Sequence, residues 1–156
     1  MPFQPGELLL HRYRISHILG HGGAATTYRA LDLVWNLPVV LKILHHTSPT
    51  LRATLQAEFL VLRGLSHPNL IRVHDFAYIQ NPKGNPLCLM STEPIDAIPL
   101  DHAAHHASWK TLEPAIADVL EALRCLHSLG FRHGDVKPSN ILVRPDRRAV
   151  LIDLGC

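Results

Sequence analysis

Residues 131–143 read FRHGDVKPSNILV. Four of them, His133, Asp135, Lys137 and Asn140, place an imidazole, a carboxylate, an ammonium and an amide within one short polar stretch, which then runs into an apolar strand. Downstream, the strand-like runs ILV (141–143) and AVLID (149–153) flank RPDRR, whose Pro-Asp pair suits a turn. Pairing by equal distance from a turn centred near Asp146 sets Asn140 opposite a residue at or next to Asp153. An amide oxygen and a carboxylate brought together are hard ligands suited to Mg²⁺, while Asp135 offers a proton acceptor and Lys137 a point charge for a phosphoryl group. Taken alone, the same loop also reads as turn chemistry built from Asp, Pro and Ser.

The bulk composition limits the alternatives. A chain of 156 residues with 47% hydrophobic and 18% charged residues can bury one real core and is not a disordered segment. A net charge of +2 without a clustered Lys/Arg stripe does not suggest nucleic acid as a partner. Cys88, Cys125 and Cys156 are odd in number and form no C-x-x-C pair, which argues against a disulfide framework and fits a reducing cytoplasm. No apolar run approaches the length of a membrane span, and the start MPFQPGELLLHRY is unlike a signal peptide. DHAAHH sets His102 against His105 and His106 at i+3 and i+4, but no acidic or cysteine ligand set gathers beside them. That segment reads as a solvated surface.

Along the chain there is no repeat. Short strand-like runs dominate the first part: YRISHIL, TTYRALD and PVVLKIL, then LIRVHDFAYI and LCLMST on either side of the turn-rich IQNPKGNPL (79–87). One helical stretch, LRATLQAEFLVLRGL, interrupts them, and a longer one, TLEPAIADVLEALRCLHSLG, follows and stops at Gly130. On the second helix Leu112, Ile116, Val119, Leu120, Leu123 and Leu126 form the expected apolar stripe. The expectation is an α+β fold in two lobes, an antiparallel sheet with one helix and then a helical part ending in a hairpin.

Two anomalies in the first part explain each other. On the first helix Leu51, Leu55, Leu62 and Leu65 share a face, and the residue completing the series is Glu58. A carboxylate on a buried stripe needs a cationic partner. Lys42, set among apolar neighbours in VVLKIL, is the candidate. The competing reading sends both long side chains out to water. Upstream, LGHGGAATTYRA carries Gly20, Gly22 and Gly23 between two strands, where a backbone without side chains can approach phosphates, although most such clusters are plain turns.

Taken in order, these pieces resemble a protein kinase of the serine/threonine type, in a bacterial style. VLK, HGDVKPSN and IDLG occur in sequence, together with LSHPNLIRVHDF and a hinge-like segment after Thr92. The resemblance covers nearly the whole chain. It implies a partial kinase domain over 1–156, with an N-lobe at 13–92, a hinge at 93–97 and the start of a C-lobe at 98–156. It further implies that Lys42 contacts the α- and β-phosphates of ATP and pairs with Glu58. Leu19, Gly20, His21, Gly22 and Gly23 would line the nucleotide, as would Glu93 in the hinge. Asp135 would accept the proton of a substrate hydroxyl, Lys137 would touch the γ-phosphate, and Asn140 and Asp153 would hold Mg²⁺. The implied partners are ATP and a protein substrate carrying Ser or Thr.

Several positions depart from the family pattern. Ala24 and Ala25 stand where an aromatic and the third glycine are usual, so the turn lacks its apolar flap. Gly134 replaces the arginine that reads a phosphate on the activation segment, so activation by phosphorylation there is not expected. The HGD form is also similar to small-molecule phosphotransferases of the aminoglycoside-kinase type. Leu154 replaces a phenylalanine and stays apolar. The sequence given stops three residues after Asp153. This reads as a truncated product or as a chain completed by a partner, with the second helix short of cover and prone to self-association. A non-catalytic nucleotide-binding module is the alternative function.

Overall fold

Alternating burial builds the first part of the molecule. Strands β1 (Leu8–Leu9), β2 (Tyr13–His21), β3 (Ala25–Asp32), β4 (Leu37–Leu44), β5 (Val73–Gln80) and β6 (Pro86–Thr92) form an antiparallel sheet in the order β1-β2-β3-β4-β6-β5. The computed structural model describes residues 3–45, 48–81, 84–105 and 107–154. They divide into one unit of Met1–Phe59 with Val73–Pro94 and a second of Leu60–Arg72 with Ile95–Cys156. On β3 the burial follows the two-residue period of a strand without exception, with Thr26, Tyr28, Ala30 and Asp32 inward. One face of the sheet gathers Phe3, Tyr13, Ile15, Tyr28, Val39, Leu41, Ile43, Ile79, Leu87 and Leu89 into a core.

The other face receives α1 (Pro49–Arg63), and the register explains where. Lys42, Met90 and Phe76 lie opposite one another across β4, β6 and β5, so they share a face. Phe59 of α1 meets Phe76 at 5.8 Å between ring centroids. The helix therefore lies over this row, and its inward residues are Leu55, Glu58, Phe59 and Leu62. At one end of the sheet Arg12 holds the buried Asp32 through two nitrogens at 2.7 to 3.0 Å and reaches Asp75 at 2.8 Å.

In the second unit β7 (Ile98–Pro99), β8 (Ile141–Val143) and β9 (Ala149–Leu151) make a small antiparallel sheet, with α2 (Leu100–Ala104) and α3 (Trp109–Ser128) between β7 and β8. Ile141 pairs with Leu151 and Val143 with Ala149, which centres the hairpin on position 146 as the turn chemistry predicts. α3 packs against β9, but its inward face is not the stripe of large side chains. Ala115, Asp118, Val119, Ala122 and Leu126 are buried, while Leu120 is 62% exposed and Leu112, Ile116 and Leu123 are only half-buried. Two alanines let the helix approach the fully buried Val150 and Leu151 closely, and the larger residues rotate toward the edge. Among the described residues, no helix is long and apolar enough to cross a membrane. None of their His, Cys, Asp and Glu side chains group by three or more in a way that could hold a metal ion; His106 lies outside the described residues.

Candidate active site

In the first unit the lysine and glutamate singled out from sequence do meet. Lys42 Nζ lies 3.3 Å from Glu58 Oε2, and the Glu58 side chain is 2% exposed against 21% for Lys42. Strand alternation turns Lys42 away from Leu41 and Ile43 toward α1, and the helical period brings Glu58 round with Leu55 and Leu62. A carboxylate so deeply buried keeps its charge only beside a cation.

The glycine cluster forms the connection between β2 and β3. Gly20 still pairs with Thr27 and His21 with Thr26, and Gly22 N–H donates to the Ala25 carbonyl at 2.9 Å. None of Gly20, Gly22 and Gly23 has a left-handed φ. A Cβ added at Gly20 or Gly23 would meet nothing within 4 Å, and one at Gly22 only the Ala25 carbonyl at 3.5 Å. The chain's own packing therefore does not demand glycine at these three positions. Leu19 is half exposed on β2, and Glu93 follows β6, its carbonyl accepting from the Thr92 hydroxyl at 3.2 Å.

In the second unit the polar loop is ordered around Asp135. Its carboxylate accepts from Lys137 Nζ at 2.6 Å and from Asn140 Nδ2 at 3.0 Å; the same amide nitrogen also donates to the Asp135 carbonyl at 3.0 Å. The hydrogen bond from Lys137, with a smaller one from Asn140, holds the Asp135 carboxyl below the usual carboxylate range. Asp135 is therefore ionised at neutral pH. Gly134 carries φ 80°, the left-handed conformation that costs glycine nothing, and this turns the chain between His133 and Asp135.

His133 is the anchor that the residue pattern names without explaining. It is 1% exposed, donates from Nε2 to the Ile152 carbonyl at 3.1 Å and accepts at Nδ1 from the Asp135 N–H at 3.3 Å. Those two bonds require the neutral Nε2–H tautomer, and burial pushes its pKa down in the same direction. Ile152 in turn donates its N–H to the Asn140 carbonyl at 2.9 Å. The hairpin thus sets Asn140 beside the residue preceding Asp153, and Asp153 itself takes a left-handed φ of 59° before the buried Leu154. Gly155, the last residue of the IDLG motif, lies outside the described residues.

Sequence reasoning missed the residue that fastens this hairpin. Asp118, buried on α3, accepts from Arg148 Nε at 2.8 Å, from a second Arg148 nitrogen at 2.5 Å, and from the Ala149 N–H at 2.8 Å. On the far side Asn69 Nδ2 donates to the Ala149 carbonyl at 2.9 Å and Leu151 N–H to the Asn69 carbonyl at 2.9 Å. A signal was present: Asp118 lies at helical spacing from Ala115 and Ala122, and alanines mark close approach as surely as leucines mark a core.

The sequence over residues 13–156 matches the family model described as "Protein kinase domain". The chain is 32% identical over 155 residues to the serine/threonine-protein kinase PknG of Mycolicibacterium smegmatis, covering 97% of this chain and 20% of that protein. It is 34% identical over 161 residues to the DNA damage-responsive serine/threonine-protein kinase RqkA of Deinococcus radiodurans, covering 99% and 24%. With the serine/threonine-protein kinase PknB of Mycobacterium tuberculosis the identity is 31% over 153 residues, covering 94% and 24%. The chain thus spans about a fifth to a quarter of the length of these curated relatives. Among solved structures, a double mutant of the Mycobacterium tuberculosis PknI kinase domain superposes with a TM-score of 0.80 at 26% identity, over 99% of this chain and 62% of that one.

Proposed function

Because the chain belongs to the protein kinase domain family, we propose that it serves an ATP-dependent kinase that transfers the γ-phosphoryl group of ATP to a serine or threonine hydroxyl of a protein substrate. The fold is α+β and kinase-like: an antiparallel sheet with one helix, followed by the first part of the helical C-lobe. The observation that carries the reading is the ordered loop of the second unit. An ionised Asp135, held by Lys137 and Asn140, hangs from a neutral buried His133.

In this reading Asp135 accepts the proton of the substrate hydroxyl as its oxygen bonds the γ-phosphorus, and the bond to the β-γ bridging oxygen breaks to release ADP. Lys137 exchanges Asp135 for the γ-phosphoryl oxygens. Lys42, kept in place by Glu58, takes the α- and β-phosphates. The glycine turn, with Leu19 and His21 beside Gly20, Gly22 and Gly23, covers them, and Glu93 contacts the nucleotide in the segment after β6. The donor set fits Mg²⁺: Asn140 commits its Nδ2 to Asp135, which leaves its amide oxygen, and Asp153 adds a carboxylate. Mg²⁺ supplies charge neutralisation on the phosphates when bound.

The proposed division is a partial kinase domain over 1–156, with an N-lobe at 13–92, a hinge at 93–97 and the C-lobe start at 98–156. The division of the chain between Pro94 and Ile95 supports the hinge, while Leu60–Arg72 of the proposed N-lobe group with the second unit. A cytoplasmic setting, no nucleic-acid partner and the option of a completing partner chain belong to the same proposal. The test is Mg²⁺-dependent transfer of labelled phosphate from ATP to protein by the natural full-length product. Asp135→Asn should abolish transfer and spare ATP binding. Transfer at the full rate by that variant would sink the proposal, and binding without transfer by the wild type would establish a non-catalytic nucleotide-binding module instead.

A further inference from the structure

Behind the glycine turn His21, which the proposed reading sets beside the nucleotide, converges with Thr26 and His45, which that reading does not use. Thr26, at the start of β3 and 2% exposed, lies 2.8 Å from His21 Nδ1 and 2.6 Å from His45 Nε2 through its one hydroxyl. His45, the first residue after β4, has its other ring nitrogen, Nδ1, 3.3 Å from the Gly23 carbonyl, and the two imidazoles lie 4.7 Å apart at 30°.

The chemistry of the partners orients this chain. A carbonyl only accepts, so His45 carries a proton on Nδ1, and in the neutral ring Nε2 is then the acceptor. Thr26 therefore donates to His45, and its oxygen accepts from His21 Nδ1–H. Each proton has one place, and the chain ends on the backbone of the turn. His45 also donates its backbone N–H to the Ala24 carbonyl at 2.9 Å. Two successive carbonyls, of Gly23 and Ala24, thus point at His45. In a trans peptide the C=O and the following N–H point in opposite directions. Anchoring these carbonyls turns the N–H groups of Ala24 and Ala25 away from His45, as a backbone concavity for an anion requires.

We infer that His21, Thr26 and His45 are positioning residues, a polar latch that sets the glycine turn in its phosphate-covering conformation, in place of the apolar flap that Ala24 cannot supply. The inference rests on the proposed role of the turn in covering the phosphates of ATP. Beyond the Gly22 N–H to Ala25 carbonyl bond, the two glycines and two alanines of the turn have little side chain to hold it, and ordering it on binding costs conformational entropy. A latch that orders the turn beforehand moves that cost out of the binding step.

The test titrates the chain with ATP and with adenosine, which carries no phosphate. Thr26→Val keeps the shape and removes the hydroxyl. It should weaken ATP binding about tenfold and leave adenosine unchanged, with Thr26→Ser returning ATP affinity to within about twofold. A merely structural role would weaken both ligands alike. His45→Phe keeps a ring, removes the bonds to Thr26 and Gly23, and should give the same ATP-only loss should Thr26→Val not fold. A wild type that prefers ATP to adenosine, with variants that keep that preference in full, would overturn the latch alone. A wild type that binds the two equally, or neither, would overturn the covering role of the turn and the latch with it.

Discussion

The two units each hold a lysine-carboxylate pair, and the shorter of the two is the weaker contributor to the fold. Lys137 and Asp135 meet at 2.6 Å with half of each side chain in solvent. Lys42 and Glu58 meet only at 3.3 Å, yet Glu58 is almost wholly buried. In water the attraction of an exposed pair is screened, and holding two side chains together costs entropy, so the pair adds little. Removing one partner of a buried pair strands a charge where water cannot reach it. Distance alone misleads, because the surroundings set the cost of separation. The difference suits the proposed roles: Lys137 is free to leave Asp135 for a phosphoryl group, while Lys42 is held.

The comparison breaks most visibly at Lys42→Met, which takes the lysine away from the buried Glu58, so that this carboxylate must either give up its charge or bear the cost of keeping it without the lysine. The variant should lose about 3 kcal/mol of stability, a fall in Tm of roughly 6 to 12 °C for a chain of this size. A thermal midpoint equal to wild type would mean that Glu58 finds water. Next comes Asp118→Ala, which strands the Ala149 N–H and releases Arg148. It should cost about 2 kcal/mol by denaturant unfolding, and Asp118→Asn less, since the amide oxygen still accepts.

A smaller effect is expected from pH. The pKa of His133 is lowered in the folded state, so below its unfolded value the unfolded chain binds more protons than the folded one. Its contribution is whole above the unfolded pKa near 6.5 and is lost as pH falls through the lower folded value. The midpoint of thermal unfolding should therefore drop more steeply between pH 7.5 and 5 in the wild type than in His133→Gln; parallel profiles would show that this ring does not set the acid limb. The smallest stability change belongs to Lys137→Met, within about 0.5 kcal/mol of wild type. On the proposed function the same variant loses phosphoryl transfer, which sharpens the contrast between a pair that holds the fold and one that serves the chemistry.

Much of this was legible because the deciding patterns are local and periodic. The two-residue period of β3 and β4, the Pro-Asp turn that centres the last hairpin on Asp146, and Glu58 at its helical place among leucines all follow from spacing. The pairing of Lys42 with Glu58 was legible for a further reason, as each is an expensive anomaly that only a partner relieves. The inward face of α3 differs from the stripe of large apolar residues, because Ala115 and Ala122 allow a closer approach than leucines would. The helix turned its small side chains, and Asp118 among them, toward β9.

The residues alone therefore determined the strands, the hairpin register, the glycine turn and the set of polar groups around Asp135. Only the tertiary structure decided that Asp118 would clamp Arg148 and the start of β9, that His133 would hang the loop from Ile152, and that His21, Thr26 and His45 would share one hydroxyl. Period fixes which side of an element a residue occupies. It carries no information about which distant donor will arrive there, because that depends on how closely whole elements pack and on which buried polar atoms then need a partner.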